Sequence, residues 1–258
     1  MWGTMRKLIS GFIILLAFSA FSAYADDSPL PPVTETSAPS ADGSEPPVDI
    51  DALRNDAAQG DVKAQIELAD MYYNGRGVPQ NYTEAAKWIQ MAANEGNADA
   101  EEHLAVLYSK GEGVVKDYDQ SVQWHRKAAD QGDEYSQFNL GLAYELGQGV
   151  PKNYDEAKNW YLKAAGQGEP SAQRRLGYLY YKGLGVAQDY AESYFWLALA
   201  CAQAWPNQKS QDDCVSERNR SSGNLDPEQV EAVQKRASEW KPTITRSQPE
   251  AGQNPQAQ

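Results

Sequence analysis

The chain is poor in cysteine, histidine and positive charge, and each shortage removes a class of function. Across 258 residues there are two cysteines, Cys201 and Cys214, and two histidines, His103 and His125, so no clustered ligand set for a metal is expected. The cysteines are not spaced as Cys-x-x-Cys, which argues against a redox-active pair. Lysine and arginine number 23 against 36 acidic residues, a formal charge of −13. Nucleic-acid affinity needs basic side chains to displace counterions, so neither nucleic acid nor anionic lipid is an expected partner. A basic protein surface is a better complement, unless the acidity serves only to keep an elongated exported protein soluble. Nucleotide-binding loops are missing too, since the Gly-x-Gly pairs of the chain carry no Lys with Ser or Thr at the required offset.

Apolar runs long enough to cross a bilayer are also absent. Arg6 and Lys7 precede an apolar stretch from Leu8 to Phe21, and Ala23 and Ala25 flank Tyr24. That stretch is shorter than the roughly 20 residues of a membrane span. Residues 1–25 therefore read as a cleaved signal peptide, with membrane contact only through this transient leader. Residues 26–48 hold Pro29, Pro31, Pro32, Pro39, Pro46 and Pro47 among Ser, Thr and acids, with little to bury, and read as a disordered linker. The tail 241–258, with Pro242, Pro249 and Pro255, reads the same way. The expected compartment is the periplasm or the medium.

Between these ends the chain repeats itself every 36 residues. Gly60, Gly96, Gly132 and Gly168 keep that spacing, as do Tyr72, Tyr108, Tyr144 and Tyr180, and Trp88, Trp124, Trp160 and Trp196. A unit of this length encodes a helical hairpin too small to bury its own apolar face, so stability must come from stacking on its neighbours. Ala64, Leu68, Met71 and Tyr72 step by three or four residues along a first helix capped by Asp61, with Asn97, Asp133 and the Glu169–Pro170 pair at the same register. Gly75, Gly111, Gly147 and Gly183 end these helices, and the glycine two positions later permits the following turn. Second helices open near Tyr82, Tyr118, Tyr154 and Tyr190. Small residues at Ala69, Ala105, Gly141 and Gly177 let backbones approach, and burying each aromatic ring contributes about 1.5–3 kcal/mol.

The recurring Ala-x-x-x-Leu-x-x-x-Tyr, then Gly-x-Gly-Val, then Tyr, Trp and a closing Ala, resembles the Sel1-like repeat family, relatives of the tetratricopeptide repeats. The resemblance covers about residues 49–200, with mild departures at Val115, Ala187, Ser121 and Ser193. It implies an all-α, right-handed superhelical solenoid of helical hairpins whose first helices line a concave surface, and adaptor work in exported bacterial proteins. The expected organisation is a half-repeat cap at 49–60, repeats at about 57–92, 93–128, 129–164 and 165–200, and closing helices at about 208–240. In this organisation the fourth second helix runs to about Ala204 before a turn at Trp205 and Pro206. Cys201 and Cys214 lie symmetrically about that turn, so a disulfide is expected between them in an oxidising compartment.

Catalytic chemistry finds little support. His125 stands where the other copies have Ile89, Tyr161 and Leu197, and reads as a packing residue. The neighbours Glu101 and Glu102, and Asp212 and Asp213, read as solvated surface. No catalytic residue, cofactor or metal ligand is assigned. Comparison of the copies is more informative, because positions that vary are free to contact something else. The variable stripe of the first helices reads Lys63, Glu67, Asp70, Asn74; then Asp99, His103, Val106, Lys110; then Tyr135, Asn139, Leu142, Leu146; then Ser171, Arg175, Tyr178, Lys182. Tyr135, Leu142, Leu146 and Tyr178, with Asn139 and Arg175 beside them, form a candidate groove for a partner segment, the alternative being that they cover the closing module. The expected function is that of a non-enzymatic, monomeric adaptor for a protein or peptide. The alternatives are a β-lactam-binding or -hydrolysing enzyme of the cysteine-rich Sel1-like type, whose relatives carry a cysteine pair in each repeat, or a cell-wall or polysaccharide-associated protein.

Overall fold

In the computed structural model, residues 49–203 and 207–243 are described. The leader, the linker, the turn at Trp205 and Pro206 and the tail beyond residue 243 lie outside them. The described residues form eleven helices and no strand: α1 (Ile50–Ala58), α2 (Val62–Asn74), α3 (Tyr82–Asn94), α4 (Ala98–Lys110), α5 (Tyr118–Asp130), α6 (Glu134–Leu146), α7 (Tyr154–Gln167), α8 (Pro170–Lys182), α9 (Tyr190–Cys201), α10 (Gln208–Ser222) and α11 (Pro227–Glu239). Helices α2 to α9 form four hairpins, each with a first helix A and a second helix B. Every A helix packs on its own B helix and every B helix on the next A, which makes the chain an all-α solenoid. Helix α1 covers the amino-terminal face, and α10 and α11 both pack on α9.

Side-chain caps set both ends of each hairpin. Asp61, Asn97, Asp133 and Glu169 accept backbone N–H groups at the A-helix starts, and Asn81, Asp117, Asn153 and Asp189 do so for the B helices. The A helices close on Gly75, Gly111, Gly147 and Gly183, whose φ values lie between 68° and 78°. The second glycine of the last three pairs has a larger role than the local turn that the sequence suggests. A Cβ at Gly113 would fall 1.9 Å from the Tyr82 carbonyl oxygen, one at Gly149 2.3 Å from that of Tyr118, and one at Gly185 2.5 Å from the Tyr154 carbonyl carbon. The turns of the second, third and fourth repeats are thus each seated on the B-helix start of the repeat before, while Gly77 of the first meets the side chains of Ile50 and Met71.

The core repeats as the sequence does. Leu68, Leu104, Leu140 and Leu176 are fully buried, and Trp124, Trp160 and Trp196 nearly so. Lys127 and Lys163 lie over the Trp124 and Trp160 rings, with Nζ 3.5 and 3.7 Å from the ring centres. Glutamines form a second, polar ladder that the sequence reading missed. Gln65, Gln137 and Gln173 each donate from Nε2 to a carbonyl at the end of the preceding B-side helix, those of Ala57, Ala129 and Ala165, at 3.1, 3.2 and 3.2 Å. Gln131 and Gln167 in turn donate to the side-chain oxygens of Glu101 and Gln137, at 2.8 and 2.9 Å. These bonds satisfy buried helix-end carbonyls and fix the register of one hairpin on the next.

Helix α9 ends at Cys201, short of the Ala204 that the apolar pattern suggests. Cys201 and Cys214 form the expected disulfide, with an S–S distance of 2.06 Å and their Cα atoms 5.7 Å apart. It pins α10 to α9, and the bidentate pair from Arg174 Nε and Nη2 to Glu217, 2.7 Å each, pins α10 to α8. Asp226 opens α11 with a capping box closed by Gln229, and Pro227 occupies its first turn.

Candidate partner-binding face

The six residues of the predicted groove fall on two A helices, α6 and α8. Leu146 is 48% exposed and Tyr178 42%, while Tyr135, Asn139, Leu142 and Arg175 are half-buried. Tyr135, Leu142, Leu146 and Tyr178 take no part in the buried clusters of the core. The closing helices are seated on α9, where Val233 and Trp240 join Phe195 and Trp196.

Arg175, one of the polar groups expected beside the groove, also makes a contact within the fold. Its Nη1 donates to Glu145 Oε1 at 3.3 Å, and Tyr161 Oη donates to Glu145 Oε2 at 2.7 Å. Glu145 is buried, and a buried carboxylate needs both a counter-charge and a hydrogen bond to be tolerated. Arg175 thus ties α8 to α6 and holds the two exposed apolar positions in a fixed relation. Burial first, and the Glu145 charge second, push the Tyr161 phenol well above its ordinary pKa, which keeps it a donor. Space for the Tyr161 ring is made by Gly141, where a Cβ would lie 2.5 Å from the ring. Gly177 makes the same room for Leu197. A signal for this pairing was present in the copies: where the A helix carries glycine instead of Ala69 or Ala105, the residue twenty positions on is Tyr161 or Leu197.

His125 is buried, its Nδ1 lies 3.2 Å from Ser136 Oγ, and burial lowers its pKa to about 3. It is a neutral packing residue, as its position among the copies indicates. Glu101 and Glu102 overturn the reading as solvated surface: they are only 4% and 5% exposed. Their helix lies between two neighbouring hairpins, so adjacent positions are both covered. Burial raises the pKa of each, most strongly for Glu102, which also feels Asp133 and Asp99. Burial likewise raises Asp133 to about 6 and Glu169 to about 7. Asp212 and Asp213 are exposed as expected. Among the described residues, no three His, Cys, Asp or Glu side chains come together as a metal site, and no helix is long and apolar enough to cross a membrane.

The Sel1 repeat model matches residues 62–97, 98–133, 134–169 and 170–204, one match per hairpin. Among solved structures, a Sel1 repeat protein from Oxalobacter formigenes is 36% identical, with a TM-score of 0.56, over 65% of this chain and 48% of that one. The protein c5321, described as a protective antigen present in uropathogenic Escherichia coli strains and displaying an SLR fold, is 26% identical, with a TM-score of 0.51, over 74% of this chain and 56% of its own. The chain thus spans about half the length of these two relatives. No curated protein matches it. Four consecutive matched repeats, covering more than half of the sequence and coinciding with four stacked hairpins, show that the chain belongs to the Sel1 repeat family.

Proposed function

We propose that the chain is an exported adaptor that holds a protein or peptide segment against the A-helix face of its third and fourth repeats. The observation that carries this reading is the exposure of Leu146 and Tyr178 on a stripe that varies between copies and is not used in the core. Proteins built from Sel1 repeats typically mediate protein–protein interaction, and a preformed solenoid surface lowers the ordering cost of binding. The Cys201–Cys214 disulfide supports an oxidising compartment, the periplasm or the medium, and so does the signal-peptide pattern of residues 1–25.

The test is crosslinking in living cells from a photoreactive group at Tyr178, with adducts identified by mass spectrometry. Exchanging Tyr135 and Leu142 for Ala in the same chain should abolish a discrete adduct while moving the melting temperature by only a few degrees, since neither side chain is fully buried. An adduct of unchanged yield in the double variant would remove this face from consideration.

A further inference from the structure

Helix α4 differs from the other A helices at two adjacent buried positions. Glu101 stands in the register of Gln65, Gln137 and Gln173, and Glu102 in that of Ile66, Phe138 and Arg174. In the sister copies the glutamine donates from Nε2 to a carbonyl at the end of the preceding B-side helix, that of Ala57, Ala129 or Ala165. The matching carbonyl before α4 is that of Ala93. A carboxyl group can donate to it only while it holds a proton. The other oxygen of Glu101, Oε2, accepts from Gln131 Nε2 in either state. Glu102 has still less to hold it. Ile66 and Phe138 give its register to hydrocarbon in two sister copies, and Glu102 Oε1 is buried there with no hydrogen-bond partner.

The charges around Glu102 do not balance it. On α4 itself, His103 Nε2 lies 3.6 Å from Glu102 Oε2, but burial holds the imidazole below its ordinary pKa, against the pull of Asp99 and of Asp70 on α2, and leaves it uncharged. Lys110, two turns further on, is paired with Glu112 at 3.6 Å. Asp99, and Asp133 and Glu134 from α6, add negative charge. Lys127 of α5 bears on Glu101 and lies over the Trp124 ring. On α3, Glu84 and Lys87 pair with each other. A carboxylate buried without a counter-charge is so costly that the group keeps its proton instead. Burial, and then the Asp133 charge, accordingly push Glu102 well above the ordinary carboxylate range, and burial raises Glu101 as well.

We infer that the start of the second repeat is a proton-operated joint, closed while Glu101 and Glu102 are protonated and opened by their ionisation. In the closed joint Glu101 completes the glutamine ladder on the Ala93 carbonyl and Glu102 is neutral beside Asp133. Without the protons the rung is lost and a buried negative charge faces Asp133, so the start of α4 parts from its neighbours. The far end of the hairpin stays seated through Gly113 on Tyr82, which makes the motion a pivot. The folded state binds these protons more tightly than the unfolded chain does. The stability that they confer is therefore complete below about pH 4.5 and is lost as the pH rises. The first, third and fourth repeats carry no acid at these two positions and lack the device. As the medium turns alkaline, α4 is thus the first A helix to open at this register. The joint acts on helix packing, and it stands whether or not the face of α6 and α8 holds a partner.

Hydrogen exchange of the full chain, resolved by peptide mass and corrected for the intrinsic effect of pH on exchange, reads the opening of α4 at about pH 6 and about pH 8.5. The comparison is a variant with the residues of the first repeat, Glu101→Gln together with Glu102→Ile. Protection at the start of α4 should fall between the two pH values by at least about tenfold more in the wild-type chain than in the variant, because each unit of pKa difference is worth a factor of ten. Asp133 and Glu169 titrate in both chains, so their effect cancels. Gln65 and Ile66 already occupy these registers in the first repeat, and a melting curve at acid pH checks the fold of the variant. If the double change does not fold, Glu101→Gln alone, which has the shape of the protonated acid, must still reduce the fall. Equal falls in the two chains, within about twofold, would overturn the joint. So would a wild-type α4 whose protection does not change with pH.

Discussion

Glu95 occupies the register at which the other copies carry Gln131, Gln167 and Gln203. Gln131 and Gln167 donate to the side-chain oxygen thirty residues earlier, and Gln167 also donates to the Gly132 carbonyl at 2.9 Å. A carboxylate has no proton to give at neutral pH, and the Oε1 atom of Gln65, thirty residues before Glu95, is buried without a partner. The change Glu95→Gln should repair this break in the ladder. An unsatisfied buried acceptor costs about 1–3 kcal/mol, and a restored neutral hydrogen bond returns about 1 kcal/mol of it. A gain of about 1 kcal/mol corresponds to a melting temperature higher by about 2–4 °C for a domain of this size. Urea titration followed by circular dichroism, run as a double-mutant cycle with Gln65→Leu, isolates the effect. In the Gln65→Leu background the gain should vanish. A gain of equal size in both backgrounds, or none in the wild-type background, would refute the ladder as the cause.

Glu169, raised by burial from 4.5 to about 7, gives a second prediction. The folded state binds this proton more tightly than the unfolded chain, so the associated stability is complete below about pH 4.5 and is lost as pH rises through about 7. Glu169→Gln should therefore stabilise the protein by up to about 3 kcal/mol at pH 8 and by little at pH 5, measured by urea titration at the two pH values; a gain independent of pH would contradict it. Reduction of Cys201–Cys214, which closes a loop of sequence separation 13, should lower stability by about 3 kcal/mol, with α10 losing hydrogen-exchange protection before α4 or α5. Uniform loss along the chain would count against a local staple. Gly141→Ala, which places a Cβ 2.5 Å from the Tyr161 ring, should cost about 1–3 kcal/mol in the same assay, and Ala105→Gly, at the equivalent position of the second repeat, much less than the ring displacement.

The period of 36 residues, the helix starts and stops, and the disulfide were legible because each depends on residue types at fixed spacing. Leu68 and Trp124 are buried for the same reason that they recur: the same contact is made in each copy. What the sequence concealed were contacts between copies. Glu101 and Glu102 look like solvated neighbours until the adjacent hairpins enclose both, and the tie from Arg175 to Glu145 appears only once α8 lies beside α6. The second glycine of each pair has an ordinary local meaning as a turn residue. Only the fold reveals that, at Gly113, Gly149 and Gly185, a carbonyl of the previous repeat fills the space where a Cβ would stand.

That seat gives the array a fixed pitch. Gly113, Gly149 and Gly185 lock every turn against its predecessor through main-chain atoms, so the hairpins are not free to open or close like the coils of a spring. Because the lock needs one glycine and the first carbonyl of the preceding B helix, whatever side chains surround them, a duplicated unit arrives already carrying both halves of its joint. Lengthening the molecule by whole units leaves the spacing of its edge unchanged, and a ligand-bearing stripe can diversify on a ruler that does not move.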